Sequence, residues 1–415
     1  MASVKMGRMG LGDAVRYVGV GERRARLGLR QQLAVEARVG TPEEVGEALV
    51  ALHGSDPATV YLAVGARLVD ASGTVAETER ALYEDRTLVR MHGMRHTVFA
   101  FPTELAAVVH ASTGLTVAAR ERAALIKDMA KAGAPDAAWL KEVEESALAA
   151  LARRGQATAS ELAQDEPRLK EQFVYAAGKS YEGVHTVSSR LLRVLGVEGK
   201  VVRGRPLGSW MSSQFRWAVA PPHPELDVAG AQAELLRRWL TVCGPATEAD
   251  LKWWTGWKVS DVRRALTAIR AVAVTVDEGP AYVVEGDDGP VAEPAEPWAA
   301  LLPGLDPTAM GWQQRDWYLA PALRPALFDR SGNVGPTVWW NGRVVGGWGQ
   351  RVDGEIVWRL LDTEGVGREA EAAITREAAR LRGWVGATWV RPRFRTPLEK
   401  ELAEGTRSGA NGVTG

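Results

Sequence analysis

Residues 185–219, HTVSSRLLRVLGVEGKVVRGRPLGSWMSSQFRWAV, decide the predicted fold. Val187, Leu191 and Leu195 recur at helical spacing, so the first half of this stretch predicts an amphipathic helix. The second half contains KVVRGRP and SWMSSQFRWAV, two runs rich in β-forming residues that a Pro-Leu-Gly turn joins. We therefore expect a helix that runs directly into a hairpin.

Two further helical patterns precede this stretch. DAAWLKEVEESALAALARRG predicts a long amphipathic helix that ends at Gly155, and ATASELAQ predicts a short helix capped by Thr158 or Ser160. Helix, short helix, third helix and hairpin is the order of a winged-helix domain. In such domains the third helix normally enters a DNA groove while the hairpin contacts the backbone.

The same order recurs on both sides of the middle copy. From Ala229, a helix is followed by TEADLKWWTG, in which Thr247 and Asp250 form a capping-box pattern, and then by a helix and the hairpin VTVDEGPAYVVEG. The N-terminal copy is less regular. It contains the box Thr41–Glu44, the segment LHGSDP, the helix ETERALYED and the hairpin LVRMHGMRHTVFAFP.

Alternating apolar and polar residues in PTVWWNGRVVGGWGQRVDGEIVWRLLD, with Asn-Gly and Asp-Gly turns, predict antiparallel strands near the C-terminus. The sequence thus predicts an α+β protein with tandem winged-helix domains and a C-terminal β-barrel or antiparallel sheet. The expected boundaries are 20–102 for the first winged-helix domain with LHGSDP, 103–220 for a helical segment and the second, 228–286 for the third, 287–300 for a linker, 301–398 for the barrel or sheet with a closing helix, and 399–415 for a disordered tail.

Composition excludes several classes of protein. With 415 residues, 46% apolar and 25% charged, the chain is globular and long enough for two to four domains. It has no run of 18 apolar residues and no signal-peptide core at the N-terminus, and its single cysteine, Cys243, cannot form an internal disulfide. We therefore expect a cytoplasmic protein without a membrane span. The 16 tryptophans are expected mainly in the core and between domains, with base stacking as the alternative.

Charge is sorted along the chain although it sums to zero, from 51 basic and 51 acidic residues. Residues 185–220 hold six Lys or Arg against one acid, and residues 16–38 hold six Arg against two acids. Solvated helix faces or a surface that faces a polyanion could each produce this sorting.

The segment LHGSDPATVY, residues 52–61, has two readings. Asp56 before Pro57 is a strong helix-start signal, which makes His53 an ordinary partly buried histidine and Ser55 a turn residue. The alternative is that His53 and Ser55 are the reacting end of an enzyme. Local sequence alone leaves both readings open, with the cap the commoner outcome.

Familiar catalytic and cofactor motifs are lacking. No Gly-x-Ser-x-Gly motif is present, and the glycines of VGVGERR do not form a dinucleotide-binding fingerprint. His92 and His96 are four residues apart but fall on a predicted hairpin, where that spacing does not place them on one helical face. We therefore expect no metal and no cofactor.

The order of these modules, together with several stretches of sequence, resembles the AlkZ-like DNA glycosylases. The stretches are LHGSDPATVYLAVGARL, LVRMHGMRHTVFAFP, GKVVRGRPLGSW, GPATEADLKWWTGW and TVWWNGRVVGGW, and the likeness spans roughly residues 20–395. This resemblance implies tandem winged-helix domains, a C-terminal β-barrel, and excision of alkylated purines or of bulky guanine adducts and cross-links from an open, concave cleft.

The family's catalytic signature is Gln, an apolar residue, then Gln or Asp, followed by Asp-Pro. On this chain it falls on His53, Gly54 and Ser55, with Asp56 and Pro57 matching the flank, so both functional positions are changed. The resemblance implies that His53 and Ser55 handle a water. A neutral histidine could accept its proton as a general base, and Asp56 could lend negative charge if the helix cap leaves it available.

The resemblance and the local charge excess together predict which residues contact DNA. These are Arg95, Arg190, Arg193, Lys200, Arg203, Arg205, Arg216, Arg343 and Arg351. The expected function is a monofunctional DNA glycosylase, acting as a monomer on double-stranded DNA that carries alkylated or adducted guanine, in base excision repair or in self-resistance to a genotoxin. The alternatives are a non-catalytic winged-helix protein, either a regulator or a lesion shield, and, more remotely, a protein that sequesters an aromatic drug.

Overall fold

The computed structural model of the protein describes residues 15–133, 135–175, 178 and 182–405. Helices and small antiparallel sheets follow one another along this part of the chain, which confirms the predicted mixture of α and β structure. Residues 1–14, where a signal-peptide core was not expected, and residues 406–415 of the predicted tail lie outside the described residues. Each described helix is too short or too polar to cross a membrane.

The first module contains one short strand that the sequence did not predict, β1, between two helices. Its elements are α1 (Val20–Arg30), α2 (Pro42–Leu49), β1 (Leu52–His53), α3 (Pro57–Gly65), α4 (Thr74–Glu79) with a π-helical turn (Arg80–Glu84), β2 (Leu88–His92) and β3 (Val98–Pro102). The sheet order is β1-β3-β2, so the short strand pairs with the second strand of the hairpin.

The second module begins with long helices. Its elements are α5 (Thr103–Val109), a π-helical turn (His110–Gly114), α6 (Leu115–Lys131), α7 (Ala137–Arg154), β4 (Gln156–Ala157), α8 (Ala159–Asp165), β5 (Gln172–Tyr175), β6 (Gly183–Thr186), α9 (Val187–Val197), β7 (Val201–Pro206) and β8 (Phe215–Val219). The helix and hairpin predicted for residues 185–219 are α9, β7 and β8. Thr158, one of the two predicted caps, accepts the amide of Glu161.

The third module follows the same order. Its elements are α10 (Val228–Cys243), β9 (Ala246–Thr247), α11 (Glu248–Thr255), α12 (Val259–Ala268), β10 (Val272–Val276) and β11 (Gly279–Val283). The capping box on Thr247 and Asp250 is present, as is the box on Thr41 and Glu44 of the first module. In all three modules of the described chain, a two-residue strand (β1, β4 or β9) that directly precedes a helix pairs with the last strand of the hairpin.

The C-terminal region is built on an antiparallel sheet. Its elements are β12 (Ala299–Leu302), α13 (Arg324–Leu327), β13 (Thr337–Trp340), β14 (Arg343–Gln350), β15 (Ile356–Leu360), α14 (Arg368–Val385) and α15 (Pro397–Glu404). Within the described residues the order β12-β13-β14-β15 leaves two edges, so the sheet is open and the predicted closed barrel is absent. The antiparallel sheet itself and its Asn341-Gly342 turn are as predicted.

The predicted linker, 287–300, is wrong at its end. Residues 299 and 300 belong to β12, because the apolar run Ala299–Leu302 pairs residue by residue with Thr337–Trp340 of β13. Its acidic start also makes contacts of its own. The Asp287 carboxylate accepts hydrogen bonds from Arg26 and Arg30 of α1.

The predicted disordered tail begins too early. Residues 399–404 continue α15, whose buried Leu398 and Leu402 lie one turn apart against β14. The glycines of β14 allow this approach, since a Cβ on Gly347 would lie 2.7 Å from Leu398 Cδ2. The chain is therefore ordered by sheet contact past the point where its composition turns polar.

Most of the tryptophans are in the core, as the sequence analysis favoured. Examples that are less than a tenth exposed come from the second and third modules and the C-terminal region, namely Trp210, Trp217, Trp239, Trp254, Trp257, Trp298, Trp312, Trp317, Trp339, Trp340 and Trp348. Trp239 and Trp312, from the third module and the C-terminal region, are in ring contact. Cys243 is buried as expected, and burial raises the pKa of its thiol.

A buried polar network joins the first module to the C-terminal region. The Arg67 guanidinium, at the end of α3, bonds both carboxylate oxygens of Asp306 at 2.8 and 3.0 Å, and both side chains are 0% exposed. Its other N–H groups donate to the carbonyls of Gln31 and Ala63 and to the Thr308 hydroxyl. All five donors of the guanidinium are thus used, which is what a charge needs to be stable away from water.

We expect Asp306→Ala to lower the free energy of unfolding by about 3–5 kcal/mol, because it leaves the Arg67 charge buried without its partner. Urea denaturation would measure the loss. Glu355→Ala, which removes an exposed partner of Arg351, should cost about 1 kcal/mol or less. Equal losses in the two variants would contradict this role for the Arg67–Asp306 pair.

Candidate functional site

His53 is held by a strand and not by a bend. It pairs with Phe99 of β3, and the next amide, Gly54 N–H, donates to the Val98 carbonyl at 2.8 Å. Asp56 then caps α3 and Pro57 occupies its first turn, as the sequence predicted. The backbone on both sides of the imidazole is therefore fixed by main-chain hydrogen bonds.

The His53 ring separates the core from an open cleft. Its ring meets Phe99 edge to face at 5.3 Å, and the residue is 8% exposed. One side borders a small, largely apolar space with Trp239 and Trp254, while the other lines a cleft of about 690 Å³. The imidazole is thus buried but not sealed.

The protonation state of His53 follows from this position. Burial, with the nearby charges of Arg95 and Arg90, lowers the pKa of His53 to about 3. The Ser55 amide donates a long hydrogen bond, 3.4 Å, to Nδ1. The ring is therefore neutral at neutral pH, with Nδ1 as acceptor and the proton on Nε2, which makes Nε2 a donor.

Arg90 stabilises the backbone between His53 and Ser55. Its Nε and Nη2 donate to the Gly54 carbonyl at 3.0 and 2.5 Å, and the side chain is buried. Gly54 leaves room for this contact, since a Cβ there would stand 3.3 Å from Arg90 Nε and 3.4 Å from the Phe99 backbone. Arg90 was not predicted from the sequence. The feature that could have indicated its role is an arginine at an inward-facing position of a strand, between Leu88 and His92.

Asp56 and Ser55 do not line the cleft. Each Asp56 carboxylate oxygen accepts a backbone amide, one from Ala58 at 3.1 Å and the other from Arg393 at 2.8 Å. Burial raises the pKa of Asp56 despite those bonds. Ser55 is half-buried, and its carbonyl accepts from the Arg393 guanidinium at 3.4 Å. Of the three predicted catalytic residues, His53 therefore lines the cleft, whereas Ser55 and Asp56 do not.

Three parts of the protein form the cleft around His53. Besides His53, the lining residues are Arg95 and Thr97 of the first hairpin, Trp253 of α11, and Met310, Gln313, Arg315, Arg324, Phe328, Ser331, Gly332 and Asn333 of the C-terminal region. We call this space the His53 cleft. Arg315 was not predicted from the sequence, where it lies among the buried tryptophans of GWQQRDWY.

Of the predicted DNA contacts, most have acidic partners within the protein. The pairs are Arg190 with Glu121, Lys200 with Glu144 and Glu198, Arg205 with Glu79 and Glu84, Arg216 with Glu161, Arg343 with Asp362, and Arg351 with Glu355. Arg190 is also 6% exposed, which favours a structural role. The local charge excess in the sequence is thus largely balanced by acids from distant segments.

Arg95 and Arg203 differ from that group, because within the described chain neither has a carboxylate at ion-pair distance. Arg95 lies over the Trp253 ring at 4.2 Å and lines the His53 cleft. Arg203 lies over Phe215 at 4.6 Å. Burial, then the charges of neighbouring arginines, lowers the pKa of Arg203 to about 9.

Those neighbouring charges are Arg90, Arg193 and Arg393, which come from two modules and the C-terminal region. Arg193 also contacts the His96 ring, with Nε 3.3 Å from Nε2. His92 and His96 are in ring contact at 5.0 Å, but the described residues contain no group of side chains that could hold a metal ion.

Comparison with known proteins identifies a family and a similar solved structure. A family profile described as "DNA glycosylase AlkZ-like" matches residues 47–384. The solved structure of the Streptomyces sahachiroi DNA glycosylase AlkZ is similar, with a TM-score of 0.65 and 20% sequence identity over 89% of this chain and 97% of that one, which shows a shared fold. No curated protein sequence matches the chain significantly. Because the profile covers most of its length, the chain belongs to the AlkZ-like DNA glycosylase family.

Proposed function

We propose that this member of the family is a monofunctional DNA glycosylase that removes N7-alkylated purines or bulky guanine adducts from duplex DNA, using His53 to hold the attacking water. One observation carries the proposal: the residue at the first position of the family's catalytic signature lines an open cleft large enough for a segment of DNA strand. The same cleft would be expected of an enzyme that works on large lesions without closing a tight pocket around the base.

The chemistry requires little from the protein. An N7-alkylguanine already carries positive charge, so it departs readily and leaves an oxocarbenium-like sugar that a weak nucleophile can capture. A water that accepts a hydrogen bond from His53 Nε2–H keeps a second lone pair for C1′. The C1′–N9 bond breaks with its electron pair going to the departing neutral base, the new O–C1′ bond forms, and the water releases its proton to solvent in the open cleft. His53 would thus orient the water as a donor, which replaces the general-base role expected from the sequence.

Ser55 and Arg90 act in this scheme through His53. The Ser55 amide fixes Nδ1 as the acceptor, and Arg90 holds the Gly54 carbonyl between the two residues. Asp56 is a positioning residue, because its oxygens fasten Arg393 to the start of α3. The expected catalytic set is therefore reduced to one side chain in contact with the water and several that orient it.

The absence of a lysine supports single-step hydrolysis. A glycosylase that also cuts the strand needs an amine to form a Schiff base with the sugar. No lysine is among the described residues that line the His53 cleft. Water remains the nucleophile, and an abasic site would be the product.

The shared strand order of the three modules fits winged-helix domains, and we assign them to DNA backbone contact. Arg203 and Arg393, which belong to different parts of the chain and whose charges lie close enough for Arg393 to lower the pKa of Arg203, are the strongest candidates for phosphate contacts near His53. The predicted contacts that are already paired with acids would contribute less, since binding DNA would require breaking an ion pair. A single chain supplies all these groups, which is consistent with action as a monomer on chromosomal DNA.

We expect His53→Ala to slow single-turnover release of 7-methylguanine from alkylated duplex by roughly 100-fold, because the water loses its donor. His53→Gln should recover much of the rate, since a carboxamide also donates. Ser55→Ala keeps the backbone amide and should stay within a few-fold of the wild type. Equal rates in all three variants would remove His53 from the mechanism. Tight DNA binding with no release by the wild type would instead favour the non-catalytic alternative.

The pH profile provides an independent check. Because the pKa of His53 is lowered to about 3, its ring stays neutral from pH 5 to pH 8 and becomes protonated only in stronger acid. We therefore expect the single-turnover rate constant to be flat across that range. An inflection near ~6.5 that His53→Gln abolishes would show a histidine titrating normally, and would contradict the neutral-donor role.

A further inference from the structure

The His53 cleft is strongly cationic. Arg95, Arg315 and Arg324 all line it, and no aspartate or glutamate is among the described residues that form its walls. Arg324 is paired outside the cleft with Asp316 at 2.5 Å. Arg95 and Arg315 therefore remain as two positive groups without acidic partners among the described residues, and both line the His53 cleft.

Arg95 is held in place by the tip of the first hairpin. Its φ of 54° and the φ of 61° at His96 place two successive non-glycine residues in the left-handed region, which costs conformational energy. The aliphatic part of Arg95 fits beside Gly256 at the end of α11, where a Cβ would come within 3.0 Å of Arg95 Cγ. This turn directs the guanidinium onto Trp253 and toward the cleft.

Arg315 approaches the same indole from the C-terminal region. Its guanidinium lies 5.1 Å from the Trp253 ring centre, and the residue is 8% exposed. Its Nη1 contacts the Ala309 carbonyl at 3.3 Å and Met310 Sδ at 3.9 Å, and no other acceptor for it lies within the described chain. The guanidinium of Arg95 has no hydrogen-bond acceptor among the described residues.

Two guanidiniums gathered on one indole repel each other, and the pKa of Arg95 is lowered by burial and by the Arg315 charge. An arrangement that leaves so many N–H donors without protein acceptors is suited to an anion. A cationic N7-alkylguanine would be repelled by these two guanidiniums, so the damaged base itself is not their ligand. Of the parts of the substrate, only the backbone carries negative charge.

We propose that Arg95 and Arg315, held on Trp253, bind a backbone phosphate of the damaged strand next to the sugar at His53. This inference rests on the proposed function, because it takes damaged DNA as the substrate. The bound phosphate has a second consequence. Since Asp56 is engaged with backbone amides and no carboxylate lines the described cleft, the phosphate is the negative charge closest to the developing oxocarbenium ion.

The test combines variants of the protein with a neutralised phosphate in the DNA. Duplexes carry one methylphosphonate at each position around a tetrahydrofuran abasic site, and their affinities are measured for wild type, Arg95→Gln and Arg315→Gln. Arg237→Gln is the matched control, because Arg237 lies on α10 and pairs with Glu234 away from the cleft. Thermal unfolding of each variant excludes loss of fold as the cause.

We expect one methylphosphonate position beside the abasic site to weaken wild-type binding by about tenfold or more, the range for a hydrogen bond to a charged group. In Arg95→Gln and Arg315→Gln, a methylphosphonate at the same position should cause no further loss of affinity. In Arg237→Gln it should weaken binding as much as in the wild type. The salt dependence of binding should fall by about one phosphate contact in each cleft variant. The same methylphosphonate placed beside 7-methylguanine should slow excision by the wild type.

If the methylphosphonate weakens DNA binding by the cleft variants as much as it weakens binding by the wild type, the two losses of affinity are additive. That result would overturn the phosphate site. Because the binding arm uses an abasic duplex and needs no turnover, its result is independent of whether the protein releases a base. Excision with additive binding losses would leave the proposed function standing and remove this site. Non-additive losses of affinity in a protein that releases no base would support the phosphate site and remove the proposed function.

Discussion

The buried ion pair between Arg67 and Asp306 is the constraint on which the arrangement of the site depends. It fixes the end of α3, whose other end begins just after His53, to the loop that leads on to Met310 and Arg315. The guanidinium also bonds the Gln31 carbonyl at the end of α1, so three separated segments meet at one charge. Replacing either partner would leave a charge in the core, and the C-terminal side of the cleft would lose its fixed distance from His53.

Within that frame no carboxylate is among the described residues that line the His53 cleft. The Asp56 oxygens are used on the backbone, and acids from distant segments pair some of the predicted DNA-contacting arginines, such as Arg205 with Glu84 and Arg216 with Glu161. The imidazole is kept neutral by burial and by two nearby arginines. If a DNA phosphate binds there as we propose, the cleft gains its negative charge only from the substrate, which ties activation of the site to binding.

Local chemistry made much of the fold predictable. Capping boxes at Thr41 and Thr247, the Asp56-Pro57 start and the Asn341-Gly342 turn all act within a few residues, and all are present. What depends on distant segments was not predictable. Strand β1 has two residues and exists because β3 pairs with it. Likewise, the charge excess around residues 185–220 gave no sign that Glu84, Glu144 and Glu161 would neutralise much of it.

The position of the candidate site is a prediction from the sequence, whereas its geometry required the structure. The family signature pointed to His53, whereas its neutral state, its tautomer and the support from Arg90 depend on the fold, in which Arg90 of β2 reaches the Gly54 carbonyl that follows β1. The most direct measurement is a structure of the protein bound to DNA that contains a cationic pyrrolidine analogue of the sugar. The account predicts the ring nitrogen within one water of His53 Nε2, with an adjacent phosphate on Arg95 and Arg315. DNA seated elsewhere, with the His53 cleft filled only by solvent, would contradict it.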